Sequence, residues 1–129
     1  MLKTRVIPCL LVLNGGLIKT IKFKDPRYIG DPINAIKIFN EKEVDELVLL
    51  DIGATTRGDG PSFSLLEEVA SECFMPLAYG GGIRSVEDVT KIFNIGLEKA
   101  IINTRAYEDM VFIRSAVKRF GSQSIVASI

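Results

Sequence analysis

Residues 76–104 read PLAYGGGIRSVEDVTKIFNIGLEKAIINT, and this stretch holds one complete unit of the fold. An apolar strand over 74–79 runs into Gly80, Gly81 and Gly82. Ser85-Val86-Glu87-Asp88 then resembles a capping box, ahead of Val89, Ile92 and Phe93 at helical spacing. A second apolar strand over 100–102 ends at Asn103-Thr104. Both strands are continuously apolar rather than alternating, as expected for strands in a parallel sheet. Strand, helix and strand in that order predict parallel pairing through a right-handed crossover.

The same pattern extends outward in both directions. Strands are predicted over 6–13, 47–50 and 124–129. Asp31-Pro32 reads as an N-cap with proline in the first turn, followed by Ile33, Ile36 and Phe39 on one face. Gly60-Pro61-Ser62 opens a helix through Leu65, Leu66 and Val69. Another helix runs over about 107–120, with Val111, Ala116 and Val117 among its apolar residues and Gly121 as its stop. The order is βαβαβαβα plus a strand, in a single domain over 1–129. The units echo one another weakly: Glu46 precedes a run ending at Asp51, and Lys99 precedes one ending at Asn103-Thr104. A complete β/α barrel needs eight units and typically ~250 residues. Two architectures therefore fit: a parallel (βα)4 half of a TIM barrel with the start of a fifth strand, or a small doubly wound domain with helices on both faces.

Composition narrows the function. The chain has 16 basic and 16 acidic residues, which disfavours a nucleic-acid binder working by bulk charge. No apolar run approaches the ~20 residues of a membrane span, and the start lacks a secretory leader. A cytoplasmic protein is expected, with neither nucleic acid nor membrane as a partner. Cys9 and Cys73 lie in apolar runs and are expected to be buried thiols rather than a disulfide or metal pair. There is no histidine, so Ser-His and Cys-His nucleophile pairs and His-ligated zinc are excluded. No metal and no cofactor are expected.

Parallel strands all end on one side, so the loops after them share one edge of the sheet. Gly80, Gly81 and Gly82 there read either as a phosphate cradle, with bare N–H groups and the positive end of the next helix, or as a tight βα turn. Asn103 and Thr104 read as further phosphate donors or as an ordinary helix cap. Asp51 can serve as a general base or orient a substrate hydroxyl; it can equally cap the loop near Thr55 and Thr56. Lys19, expected in a loop after the first strand, is either a lid lysine over a phosphate or a solvated surface charge. Arg5, Glu46 and Lys99 each precede a strand and so project from the opposite end. They form either a salt-bridged gate or a stabilising cluster, the usual role of that face.

Taken together, RVIPCL, GDPINAIKIFNEKEVDELVLLDI, PLAYGGGIRSVEDV, GLEKAIINT and RFGSQSIVASI resemble the cyclase subunit of imidazole glycerol phosphate synthase, the ammonia-using (β/α)8 barrel of histidine biosynthesis. The resemblance spans the chain and implies its amino-terminal half. It implies that Gly81, Gly82, Asn103 and Thr104 bind one phosphate of a phosphorylated substrate. Lys19 would lie on a flexible first loop over the active site. Arg5, Glu46 and Lys99 would form three parts of an ammonia gate. Glu98 would lie where a glutaminase-type subunit docks in the full-length parent.

Two departures matter. The family carries a general-base aspartate at the end of the first strand, where this chain has Leu11; losing such a base typically costs ~10²–10⁴ in rate. Its second catalytic carboxylate belongs at the end of the fifth strand, beyond Ile129. The stretch CLLVLNGG, residues 9–16, resembles a paralogous branch associated with amidation of surface-polysaccharide sugars. The leading expectation is a half-barrel that binds phosphate and conducts ammonia but does not cyclise alone. The alternatives are a fragment of a genuine histidine-pathway cyclase and a structural module. Self-association, as a dimer of half-barrels, is expected in each case.

Overall fold

A computed structural model describes residues 2–129. The first strand, β1 (Cys9–Leu13), is followed by β2 (Gly16–Ile21) and β3 (Lys24–Gly30), then α1 (Pro32–Glu41), β4 (Leu47–Asp51), α2 (Ala54–Arg57) and α3 (Phe63–Glu72). Next come β5 (Leu77–Gly80), α4 (Val86–Ile95), β6 (Lys99–Ile102), α5 (Thr104–Glu108), α6 (Met110–Phe120), a 3₁₀ turn and β7 (Ile125–Ala127). The strands form one sheet in the order β3-β2-β1-β4-β5-β6-β7. From β1 through β7 the pairing is parallel. The β2–β3 hairpin adds antiparallel strands to the outer side of β1.

The hairpin is the main departure from the sequence reading, which placed a loop there. β3 is an edge strand whose first six residues are exposed, so it carries no buried run to reveal it. The first strand begins at Cys9 rather than residue 6. Pro8 has no N–H for a ladder, although Val6 and Pro8 still accept hydrogen bonds from Asp45 N and Val48 N. The expected strand over 74–79 starts at Leu77, leaving Phe74 86 % exposed. The helix over 107–120 is broken at Asp109, whose carboxylate accepts from Phe112 N and starts α6. The predicted caps at Asp31 and Ser85 are both formed.

Register separates the two faces of the sheet. Leu10, Leu49, Tyr79, Ala100 and Ile125 pair across neighbouring strands on one face. Against it pack Ile36, Leu66, Val69, Val89, Ile92 and Phe112 from α1, α3, α4 and α6. Those helices touch one another in sequence order, α1 to α3 to α4 to α6. On the other face, Leu11, Leu50, Gly80, Ile101 and Val126 form the matching row, and its side chains are only half-buried or exposed. A doubly wound sheet would cover both faces. One-sided helices on a parallel sheet are the half-barrel arrangement. Cys9 lies on the open face and is exposed, which corrects the expectation of a buried thiol; Cys73 is half-buried. Among the described residues, no helix is long and apolar enough to cross a membrane.

Candidate functional site

At the amino-terminal end of the sheet, the last residue before β4 and the first of β6 meet the leading segment. Glu46 is 2 % exposed. Its two carboxylate oxygens take different cations: Oε2 accepts from Arg5 Nη2 at 2.9 Å, and Oε1 lies 2.9 Å from Lys99 Nζ. Leu47 next to Glu46 is wholly buried beneath the helices, so alternation turns Glu46 to the open face. Lys99 pairs with Ala78, in the row of Cys9 and Val48 on that same face. The trio has two positive charges against one negative. Glu98, the neighbour of Lys99, is exposed, and its N–H donates to Leu77 O.

At the opposite edge the loops after β4, β5 and β6 lie side by side. Gly81 and Gly82 have φ of +143° and +71°. A Cβ on Gly81 would stand 2.7 Å from Asp51 O; one on Gly82 would stand 2.6 Å from Asp59 O and 3.0 Å from the Gly60 carbonyl carbon. Glycine is therefore required twice over, by conformation and by the close approach of the β4 loop. Asn103 and Thr104 open α5 on the next loop, both exposed, and the Asn103 side chain makes no capping bond. The backbone thus brings the glycine pair and the Asn-Thr pair to adjacent loops at one edge.

Asp51 faces the helices rather than the open side, on the same face as Val12, its neighbour in β1. Its Oδ1 accepts from Gly53 N at 3.0 Å; its Oδ2 accepts from Ser62 Oγ at 3.2 Å and Arg57 Nη2 at 3.3 Å. A carboxylate held by three donors organises its loop. This also explains why Ser62 precedes α3 without capping it. Tyr79 lies beside this group, its hydroxyl accepting from Ser62 N at 3.4 Å. Burial pushes the phenol up to about 12. Lys19 is exposed in β2, opposite Arg27 of β3, rather than in a loop. Leu11 lies on the open face, between Ile18 and Leu50.

Three arginines that the sequence reading passed over link these loops. Arg57 donates to Asn14 Oδ1 in the β1–β2 turn and to Asp59 Oδ2. Arg84 Nη1 donates to Gly58 O at 3.0 Å, and Arg105 Nε donates to Arg84 O at 3.4 Å. The only available signal was position: each arginine lies in or beside a loop that follows a strand. No cluster of three or more potential metal ligands occurs among the described residues.

The chain is similar to known proteins along its length. Residues 5–129 match the model of the histidine biosynthesis protein family. The chain is 59% identical over 129 residues to a Pseudomonas aeruginosa protein provisionally named imidazole glycerol phosphate synthase subunit hisF2, covering 100% of this chain and 51% of that one. A provisionally named subunit HisF of Leptospira interrogans is 53% identical, with the same coverage of 100% and 51%. Imidazole glycerol phosphate synthase subunit HisF of an Exiguobacterium strain is 46% identical, again over 100% of this chain and 51% of its own. The chain spans about half the length of these relatives.

Proposed function

The chain belongs to the histidine biosynthesis protein family, and from that premise we propose that it forms the amino-terminal (βα)4 half of a barrel similar to the imidazole glycerol phosphate synthase cyclase. In this reading it binds phosphate at one end, admits ammonia at the other, and does not cyclise by itself. The observation that carries it is Glu46 held between Arg5 and Lys99 on the open face, at the end of the sheet opposite the glycine loop. The Glu46 carboxylate is already occupied by two cations, so it is not free to hold ammonium, and neutral ammonia is the species such a mouth passes. A glutaminase-type subunit supplies that ammonia in the complete assembly, docking beside Glu98.

At the loop end, Gly81, Gly82, Asn103 and Thr104 take one phosphate of a small phosphorylated molecule through backbone N–H groups, an amide and a hydroxyl. Leu11 occupies the position where the family resemblance implies a general-base aspartate. Leucine cannot accept a proton, and this points to the branch associated with amidation of surface-polysaccharide sugars. A second reading, a histidine-pathway cyclase, is favoured by the name of the Exiguobacterium relative.

Complementation separates them. The full reading frame, expressed soluble in a histidine-requiring strain lacking its cyclase, is expected to give no growth; growth would establish the second reading. The 129-residue chain alone is expected to show no ammonia-dependent turnover, and measurable turnover would defeat the proposal.

A further inference from the structure

Arg84 stands directly between the two halves of the proposed phosphate site. It follows Gly82 and Ile83 and precedes Ser85, the N-cap of α4. Its own N–H donates to Asp88 Oδ2 at 3.1 Å, which fixes its backbone to the first turn of that helix. From there its guanidinium reaches back to Gly58 O, and Nη2 lies 3.2 Å from where a Cβ on Gly60 would sit. Gly58 to Gly60 belong to the loop whose Asp59 and Gly60 backbone presses on Gly82. In the other direction the Arg84 carbonyl accepts from Arg105, the residue next to Thr104.

We infer that Arg84 is a positioning residue of the anion site: its guanidinium clasps the β4 loop behind Gly82, its carbonyl anchors Arg105 of the loop bearing Asn103 and Thr104, and it does not itself contact the anion. This rests on the phosphate reading of those loops. The physical reason is pre-organisation. Two separate loops, one of them braced by the β4 loop, must hold N–H and O–H donors at fixed spacing, and loop ordering that is not already in place is subtracted from affinity. A planar guanidinium with a rigid fork of donors suits such a clasp better than an ammonium does.

The test joins amide hydrogen exchange with binding of inorganic phosphate, followed by NMR, on the 129-residue chain and its Arg84→Ala, Arg84→Lys and Thr104→Ala variants. Losing one loop-fixing hydrogen bond changes a local equilibrium by up to about tenfold. Arg84→Ala and Arg84→Lys are therefore expected to speed exchange at Gly58 and Asp59, whose N–H groups donate to Thr55 O and Ala54 O within the clasped loop, by about that factor and to weaken phosphate to a similar degree. Thr104→Ala should weaken phosphate with exchange at Gly58 and Asp59 unchanged. Exchange unaltered in both Arg84 variants overturns the clasp. So does weakened phosphate with unaltered exchange, which would make Arg84 a direct ligand. If the unaltered chain binds no phosphate, the phosphate reading fails, while the exchange data still decide whether Arg84 holds the loops. Global exchange and circular dichroism identify a variant that unfolds, and Arg84→Lys, which keeps the charge and the stem, then decides.

Discussion

Glu46 shows how much one residue depends on its partners. A carboxylate 2 % exposed is tolerable only because each oxygen has a cation at 2.9 Å. Removing one partner of a buried pair typically costs ~3–5 kcal/mol. Arg5 remains and is itself more than half exposed, so Lys99→Met is expected to cost about 1–2 kcal/mol by urea unfolding, and Lys99→Met with Glu46→Gln less than Lys99→Met alone. Tyr79 makes a second residue-scale prediction. Burial favours its neutral phenol in the folded state up to about 12, while the unfolded phenol ionises near ~10. The stabilisation is complete below pH ~10 and is lost as pH rises from there to about 12. The free energy of unfolding measured across that range should fall more steeply for the unaltered chain than for Tyr79→Phe.

At the scale of elements, the loops depend on glycine for two different reasons. Gly15 in the β1–β2 turn has φ of +80° and open space around a Cβ. Gly15→Ala is therefore expected to cost only the left-handed conformation, ~1–2 kcal/mol. Gly82 has a similar φ of +71° but a carbonyl oxygen 2.6 Å from the same point. Gly82→Ala must also displace the β4 loop, and about 2–4 kcal/mol is expected. Chemical denaturation of the two variants side by side isolates the packing contribution. Local signals served some elements well and others poorly. Asp31 and Ser85 cap the helices they were expected to cap, since a cap uses only neighbours in the chain. Ser62 precedes α3 without capping it, since its hydroxyl is taken by Asp51, 11 residues away.

For the whole molecule, the consequence of half a barrel is an apolar row, Leu11, Leu50, Ile101 and Val126, with no helix of the described residues over it. The 129-residue chain is expected to self-associate through that face, and light scattering is expected to give a dimer at micromolar concentration. A stable monomer would contradict this. Aspartate in place of Leu11 should weaken the dimer, because a carboxylate would be buried without a partner in its interface.

The parallel order, four of the helix–strand alternations and the two sets of residues at opposite ends were legible in the chain. Burial, capping and the rule that parallel strands end together depend on local pattern. The β2–β3 hairpin was not, because an exposed edge strand is under no pressure to be apolar. Periodicity left the choice between half-barrel and doubly wound sheet to the family resemblance, which pointed to the half-barrel, since each of the four longer helices has one apolar stripe and the stripe does not say which face of the sheet it will cover. Tertiary structure made that choice by placing all the principal helices on one side. It also showed Asp51 bound to its own loop, and Arg57, Arg84 and Arg105 reaching from loop to loop. Such contacts join residues far apart in the chain, and no spacing along the sequence encodes them.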